Sequence, residues 1–173
     1  MTALINTDEL EKARQSRDPR FDGRFFVGVL TTGIYCRPVC PVRIPKKENV
    51  QLYRSAAGAS EAGFRPCLRC RPESSPGTPA WIGAPYKVSK ELQLIELAEQ
   101  LSIGPRQLSR LFQQYVGASP VAVAQTQRLH FAKKLLDETS LPLAEVCFAA
   151  GFGSVRRFNA VFQSTYGRSP KEL

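Results

Sequence analysis

Four of the five cysteines fall in two close pairs, Cys36-x3-Cys40 and Cys67-x2-Cys70, with 26 residues between them. That pattern suits one tetrahedral ion. Each pair reaches two corners, and metal–sulfur distances of about 2.3 Å require all four sulfurs to converge. Pro38, Pro41 and Pro66 stiffen the chain beside them. An all-thiolate set favours zinc, although the same ligands could hold an iron–sulfur cluster. Two chemistries remain open at this point. One is a closed structural site. The other is a metal-activated thiolate, since the deprotonated sulfur is the nucleophile. Four thiolates on Zn²⁺ carry a net −2, an electron-rich group suited to attack on an electrophilic carbon. Between Arg37 and Glu73 there are eight basic residues (Arg37, Arg43, Lys46, Lys47, Arg54, Arg65, Arg69, Arg71) against three acidic ones. They would draw a polyanion such as DNA to the sulfurs. The plainer reading is a solvated basic face.

The whole chain, 173 residues with a formal charge of +9, repeats that electrostatic message. Its 43% hydrophobic content is enough to build cores and excludes a disordered basic tail. Nucleic acid is the first partner class implied and an anionic membrane surface the second. No apolar run approaches the roughly 20 residues of a membrane span. The N-terminus carries Asp8, Glu9 and Glu11 and no apolar signal core. A cytoplasmic address follows, where cysteines serve as ligands or nucleophiles more often than as disulfides.

The elements that must position the cysteines are short. Asn6 is placed to cap a helix with Leu10 and Ala13 inward. Phe25 to Leu30 reads as a strand ending in a turn at Gly33, and Gln51 to Tyr53 as a second strand. Ser55 to Ala62 reads as an alanine-rich helix stopped by Gly63. A stretch holding Pro76, Gly77, Pro79, Gly83 and Pro85 reads as a linker over 74–86, with Trp81 and Tyr86 able to dock on either side. It divides the chain into domains 1–73 and 87–173.

The second domain has helical periodicity throughout. Leu92, Ile95, Ala98 and Leu101 form one apolar face; Leu108, Leu111 and Phe112 form another, opened by Gly104 and Pro105. A long helix from Pro120 turns Leu129, Ala132, Leu135 and Leu136 inward. Pro142 opens the next helix, which Gly151 and Gly153 end, and a last helix carries Phe158 and Phe162. LFQQYVGASP at 111–120 and VFQSTYGRSP at 161–170 share five of ten positions, so two related helical units are expected. Cys147 reads as a core residue, and His130 as a surface or packing residue outside any metal site.

TTGIYCRPVC at 31–40, GFRPCLRCRPE at 63–73 and DPRFDGRFFVGV at 18–29 resemble the signatures of the Ada family, bacterial DNA methylphosphotriester repair proteins that double as transcriptional activators. The resemblance extends past the linker, where AGFGS at 150–154 is similar to the AraC signature. It implies an α+β zinc-binding N-terminal domain followed by an all-α AraC-like double helix-turn-helix domain. It implies one zinc ion on Cys36, Cys40, Cys67 and Cys70, with Cys36 as the acceptor of a methyl group from methylated double-stranded DNA, in a single turnover. Arg43, Lys46 and Lys47 would grip the flanking phosphates. Arg156, Arg157, Asn159 and Gln163 in the second unit, with Arg106, Gln107 and Arg110 in the first, would face the groove. RNA polymerase is the implied protein partner, and a monomer the implied state. SKELQLIE runs straight into LAEQLSIG, so the first unit is expected to be shortened. Two alternatives stand beside this reading: a non-reactive, zinc-stabilised AraC-type regulator, and the front half of a repair glycosylase, since similar segments occur fused to AlkA-type enzymes. Zinc on four thiolates lowers the formal +9 to +7, and one methyl transfer to sulfur would raise it to +8.

Overall fold

The computed structural model describes residues 7–76 and 101–173. The expected cap Asn6, the docking residues Trp81 and Tyr86, most of the linker, and the helical face of Leu92, Ile95 and Ala98 lie outside them. Leu101 is exposed.

Helix α1 (Thr7–Ser16) is amphipathic and turns Ala13 inward. Strand β1 (Phe26–Val29) pairs antiparallel with β2 (Ile34–Cys36) and with β3 (Val50–Tyr53). Helix α2 (Ala56–Glu61) follows, capped by the Ser55 hydroxyl, which accepts from the Gly58 amide. A two-residue strand, β4 (Arg65–Pro66), adds in parallel to β2, giving the order β3-β1-β2-β4. The expected strands at 25–30 and 51–53 and the expected helix at 55–62 are present. Strands β2 and β4 are additional: three and two residues carry too little alternation to be seen along the chain.

The sheet is covered on both faces, which explains the unbroken apolar run of β1. Val27 packs with Phe25 and Ala13 beneath α1. Phe26 packs with Tyr35, Ala56 and Ala59 beneath α2, its ring edge-on to Tyr35. Successive residues of a strand point to opposite faces. Tyr35 therefore turns toward α2, and Cys36, paired with Val27, turns toward α1.

The second half is helical. Helix α3 (Pro105–Tyr115) starts at the Gly104–Pro105 pair. Helix α4 (Pro120–Glu138) is capped by Ser119. Helices α5 (Leu143–Ala149) and α6 (Val155–Tyr166) form a helix-turn-helix pair across the turn at 150–154. Gly117 and Gly167, the repeat-related glycines, both adopt the left-handed conformation that ends a helix at low steric cost. The core joins Leu129 and Ala132 of α4, Val146 and Cys147 of α5, and Phe158 and Phe162 of α6. Cys147, Phe158 and Phe162 are fully buried. Each phenylalanine contributes on the order of 2–3 kcal/mol of apolar burial.

The two halves meet along α2 and α4. A Cβ on Gly58 would stand 2.7 Å from the Gly117 carbonyl, so glycine permits the close approach. Glu61 accepts from both the amide and the hydroxyl of Ser119, at 3.1 and 2.6 Å. Arg54 donates to the Gln114 carbonyl, and Arg71 pairs with Asp137 at 2.7 Å. Glu73 and Ser75 are buried, so the chain is packed through the first residues of the expected proline-rich break.

His130 belongs to this junction. It is buried, not a surface residue, and its Nε2 shares a hydrogen bond of 2.9 Å with the Tyr35 hydroxyl. Burial pulls its pKa down to about 4, below the ordinary 6.5, so the ring is neutral at pH 7. The unfolded chain takes up this proton first as pH falls. The stability held by neutral His130 is complete above about pH 6.5 and is lost progressively toward pH 4. The difference corresponds to about 3 kcal/mol. Buried Glu73 acts in the opposite sense, because burial raises its pKa. Comparison with His130→Gln isolates the histidine: the acid-side fall in urea-unfolding free energy should be shallower in the variant. Parallel curves between pH 6.5 and 4 would refute this assignment.

Candidate metal centre and nucleic-acid surface

Cys36 closes β2, Cys40 follows a tight turn in which its amide bonds the Arg37 carbonyl, and Cys67 and Cys70 follow β4. The Cys67 amide bonds the Tyr35 carbonyl at 3.0 Å, which ties the second pair to the strand that carries the first. The four sulfur atoms all lie within 4.8 Å of one another, and all four residues are buried. A tetrahedral zinc site needs sulfur separations of about 3.8 Å. The donor set contains sulfur alone, so it fits a thiophilic ion and disfavours a hard one.

Among the described residues one cluster sulfur accepts a backbone amide. Cys70 accepts from Arg37 at 3.3 Å. An amide hydrogen bond of this kind holds charge on the sulfur that accepts it and dulls its nucleophilicity.

The basic surroundings are more divided than composition suggests. Arg37 is locked to the Asp22 carboxylate, with Nε donating to Oδ1 at 2.9 Å, and its Nη1 donates to the Cys70 carbonyl. Arg71 serves the junction with α4. Arg43, Lys46 and Lys47 remain exposed on the segment after Cys40, with Lys46 in a loose pair with Glu48. Arg14, buried in α1, holds that segment by donating to the Pro45 carbonyl at 2.9 Å. The roles of Asp22 and Arg14 have no clear mark in the sequence; the DPRFDGRF run containing Asp22 is the one available signal.

Arg156, Arg157, Asn159 and Gln163 are all exposed on α6, and Arg106, Gln107 and Arg110 are exposed on α3. Positions 156, 159 and 163 lie on one exposed stripe of α6, turned away from the buried Phe158 and Phe162. No helix among the described residues is long and apolar enough to cross a membrane.

A four-thiolate metal domain joined to a helix-turn-helix domain defines the class. Residues 9–73 match the metal binding domain of Ada, and residues 97–173 match a helix-turn-helix domain. The chain is 32% identical over 175 residues to the Bacillus subtilis protein named bifunctional transcriptional activator/DNA repair enzyme AdaA, covering 97% of this chain and 82% of the relative. It belongs to the Ada family, and its four clustered cysteines are the ligands of one zinc ion. It is also 46% identical over 173 residues to a Mycobacterium tuberculosis protein described as a probable bifunctional transcriptional activator/DNA repair enzyme AlkA, covering 94% of this chain but 35% of that protein. The chain thus spans about a third of that relative. The solved DNA methyl phosphotriester repair domain of E. coli Ada is 44% identical; the match covers 42% of this chain and 78% of that one, with a TM-score of 0.37.

Proposed function

We propose that this chain removes a methyl group from a methylated DNA backbone phosphate, in a single turnover, and that the transfer raises its affinity for DNA and activates transcription. The observation that carries the reading is the cluster of four buried sulfurs, all within 4.8 Å of one another. Residues 1–73 act as the acceptor domain, 74–86 as the link, and 87–173 as the DNA-binding domain.

Bound zinc would keep the sulfurs deprotonated at neutral pH. Cys36 Sγ attacks the methyl carbon. The S–C bond forms as the C–O bond breaks, and the electron pair stays on the phosphate oxygen. The phosphodiester anion is restored and no proton moves. The methylated phosphate is neutral and does not repel the sulfur, while its charged neighbours are held by Arg43, Lys46 and Lys47. The thioether product is inert, so each chain reacts once. Loss of one negative charge from the face that meets DNA lowers repulsion. Arg156, Arg157, Asn159 and Gln163 of α6 then read the groove, with Arg106, Gln107 and Arg110 of α3 as further contacts. The bound protein, a cytoplasmic monomer in this reading, recruits RNA polymerase.

Intact mass spectrometry after incubation with duplex DNA carrying one methylphosphotriester tests the proposal. A gain of one methyl, mapped to Cys36, is the expected result. An unchanged mass, or a methyl on another residue, would overturn it.

A further inference from the structure

A small cavity of about 30 Å³ opens beside the first cysteine pair. Cys36 and Cys40 border it, with Val27, Pro38 and Val42 as apolar walls. A water-sized group needs about 10–15 Å³ by this kind of measure. The cavity therefore takes roughly two such groups, the size of a methyl carbon and its oxygen.

Three arginines also border it: Arg14, Arg17 and Arg37. Two are committed. Arg14 is held by the Glu11 carboxylate and the Pro45 carbonyl, and Arg37 by Asp22 and the Cys70 carbonyl. Arg17 has no carboxylate partner among the described residues. Its Nη2 donates to the Val42 carbonyl at 2.8 Å, and its Nε is buried without any acceptor. A buried unpaired donor is costly and uncommon, and a charged one more so. Arg17 also adopts a left-handed φ of 51° just past the end of α1, a conformation that glycine fills more easily. The strain and the unpaired donor fall on one residue, at the wall of the cavity that Cys36 borders.

We propose that Arg17 donates to the phosphoryl oxygen of the methylated phosphate while the methyl group sits in the cavity against Cys36. This rests on the reading of Cys36 as methyl acceptor. As the S–C bond forms and the C–O bond breaks, the neutral triester becomes an anion, with the electron pair on oxygen. A guanidinium N–H brought to that oxygen gains more in the transition state than in the bound triester. Arg17 therefore governs the rate of transfer more than the affinity for DNA.

The test uses the full zinc-loaded chain, its Arg17→Met and Arg17→Lys variants, and two methyl donors: duplex DNA with a single methylphosphotriester, and methyl iodide, which has no phosphate. Arg17→Met should lose about 10²-fold in single-turnover rate from DNA. Its affinity for the same duplex, its zinc content and its rate with methyl iodide should be unchanged. Arg17→Lys should recover part of the DNA rate. An unchanged DNA rate in Arg17→Met overturns the proposal. So does an equal loss with both donors, which would mean that Arg17 only braces the Val42 carbonyl. If Arg17→Met loses zinc, Arg17→Lys decides by the same comparison: a slower DNA rate with full methyl iodide reactivity supports the proposal, and equal rates overturn it. A wild-type chain that reacts with methyl iodide but takes no methyl from DNA is a separate outcome, and it removes the function as well as the role of Arg17.

Discussion

Stripping the zinc with a chelator is expected to unfold the sheet domain while leaving the α5–α6 pair folded. The reason lies in the distribution of apolar burial. On one face of the sheet, four small or aromatic residues, Phe26, Tyr35, Ala56 and Ala59, are buried together. On the other face, among the described residues, Ala13, Phe25 and Val27 are, with Leu10, Phe21, Val50 and Leu52 partly buried against them. Clusters of that size do not offset the chain entropy of some 70 residues. The four sulfurs join two segments that otherwise share a two-residue strand, Arg65–Pro66. Metal binding in small thiolate domains is worth about 10–16 kcal/mol, and there it is folding free energy. The helical core around Phe158, Phe162 and Val146 contains no ligand and should persist. Hydrogen exchange reads the difference directly. Amides of β1 and β3 should lose protection on zinc removal, and those of α6 should keep it. Retained protection in β1 would show that the sheet stands without the ion.

Cys36→Ala is expected to bind zinc more weakly through three sulfurs and to lose methyl transfer by roughly 10⁴-fold or more, as when a nucleophile is removed elsewhere. Its DNA binding should move the other way. Deleting the Cys36 thiolate removes one negative charge from the cluster, as methylation would. One unit charge at about 4 Å in a water-like dielectric is worth about 1 kcal/mol, a factor of about five in affinity. Unmethylated Cys36→Ala should therefore bind duplex DNA about fivefold more tightly than the unmethylated wild type, and the gain should shrink with added salt. Binding that is unchanged or weaker would separate the repair step from any electrostatic signal. Methyl transfer retained in Cys36→Ala would move the acceptor to Cys40, the other sulfur at the cavity.

The sequence by itself determined what depends on neighbours along the chain. Two cysteine pairs flanked by prolines specify a tetrahedral thiolate site wherever the fold brings them together. Capping residues and 3.6-residue periodicity place α3 to α6, because each helix closes its hydrogen bonds within its own segment. The repeat alone marks Gly117 and Gly167 as helix ends. Tertiary structure decided the rest. Strands β2 and β4 exist only because β1 and β2 offer them partners. His130, alone on its helix in the sequence, meets Tyr35 from 95 residues away. The charge count around the cysteines treats Arg37 and Arg71 alike and stops short of Arg17. Packing divides them, giving Asp22 to the first and Asp137 to the second, and leaving Arg17 with an unpaired donor at the cavity beside Cys36. Pairings between distant segments have no local signature, because the free energy that selects them comes from burying both partners at once.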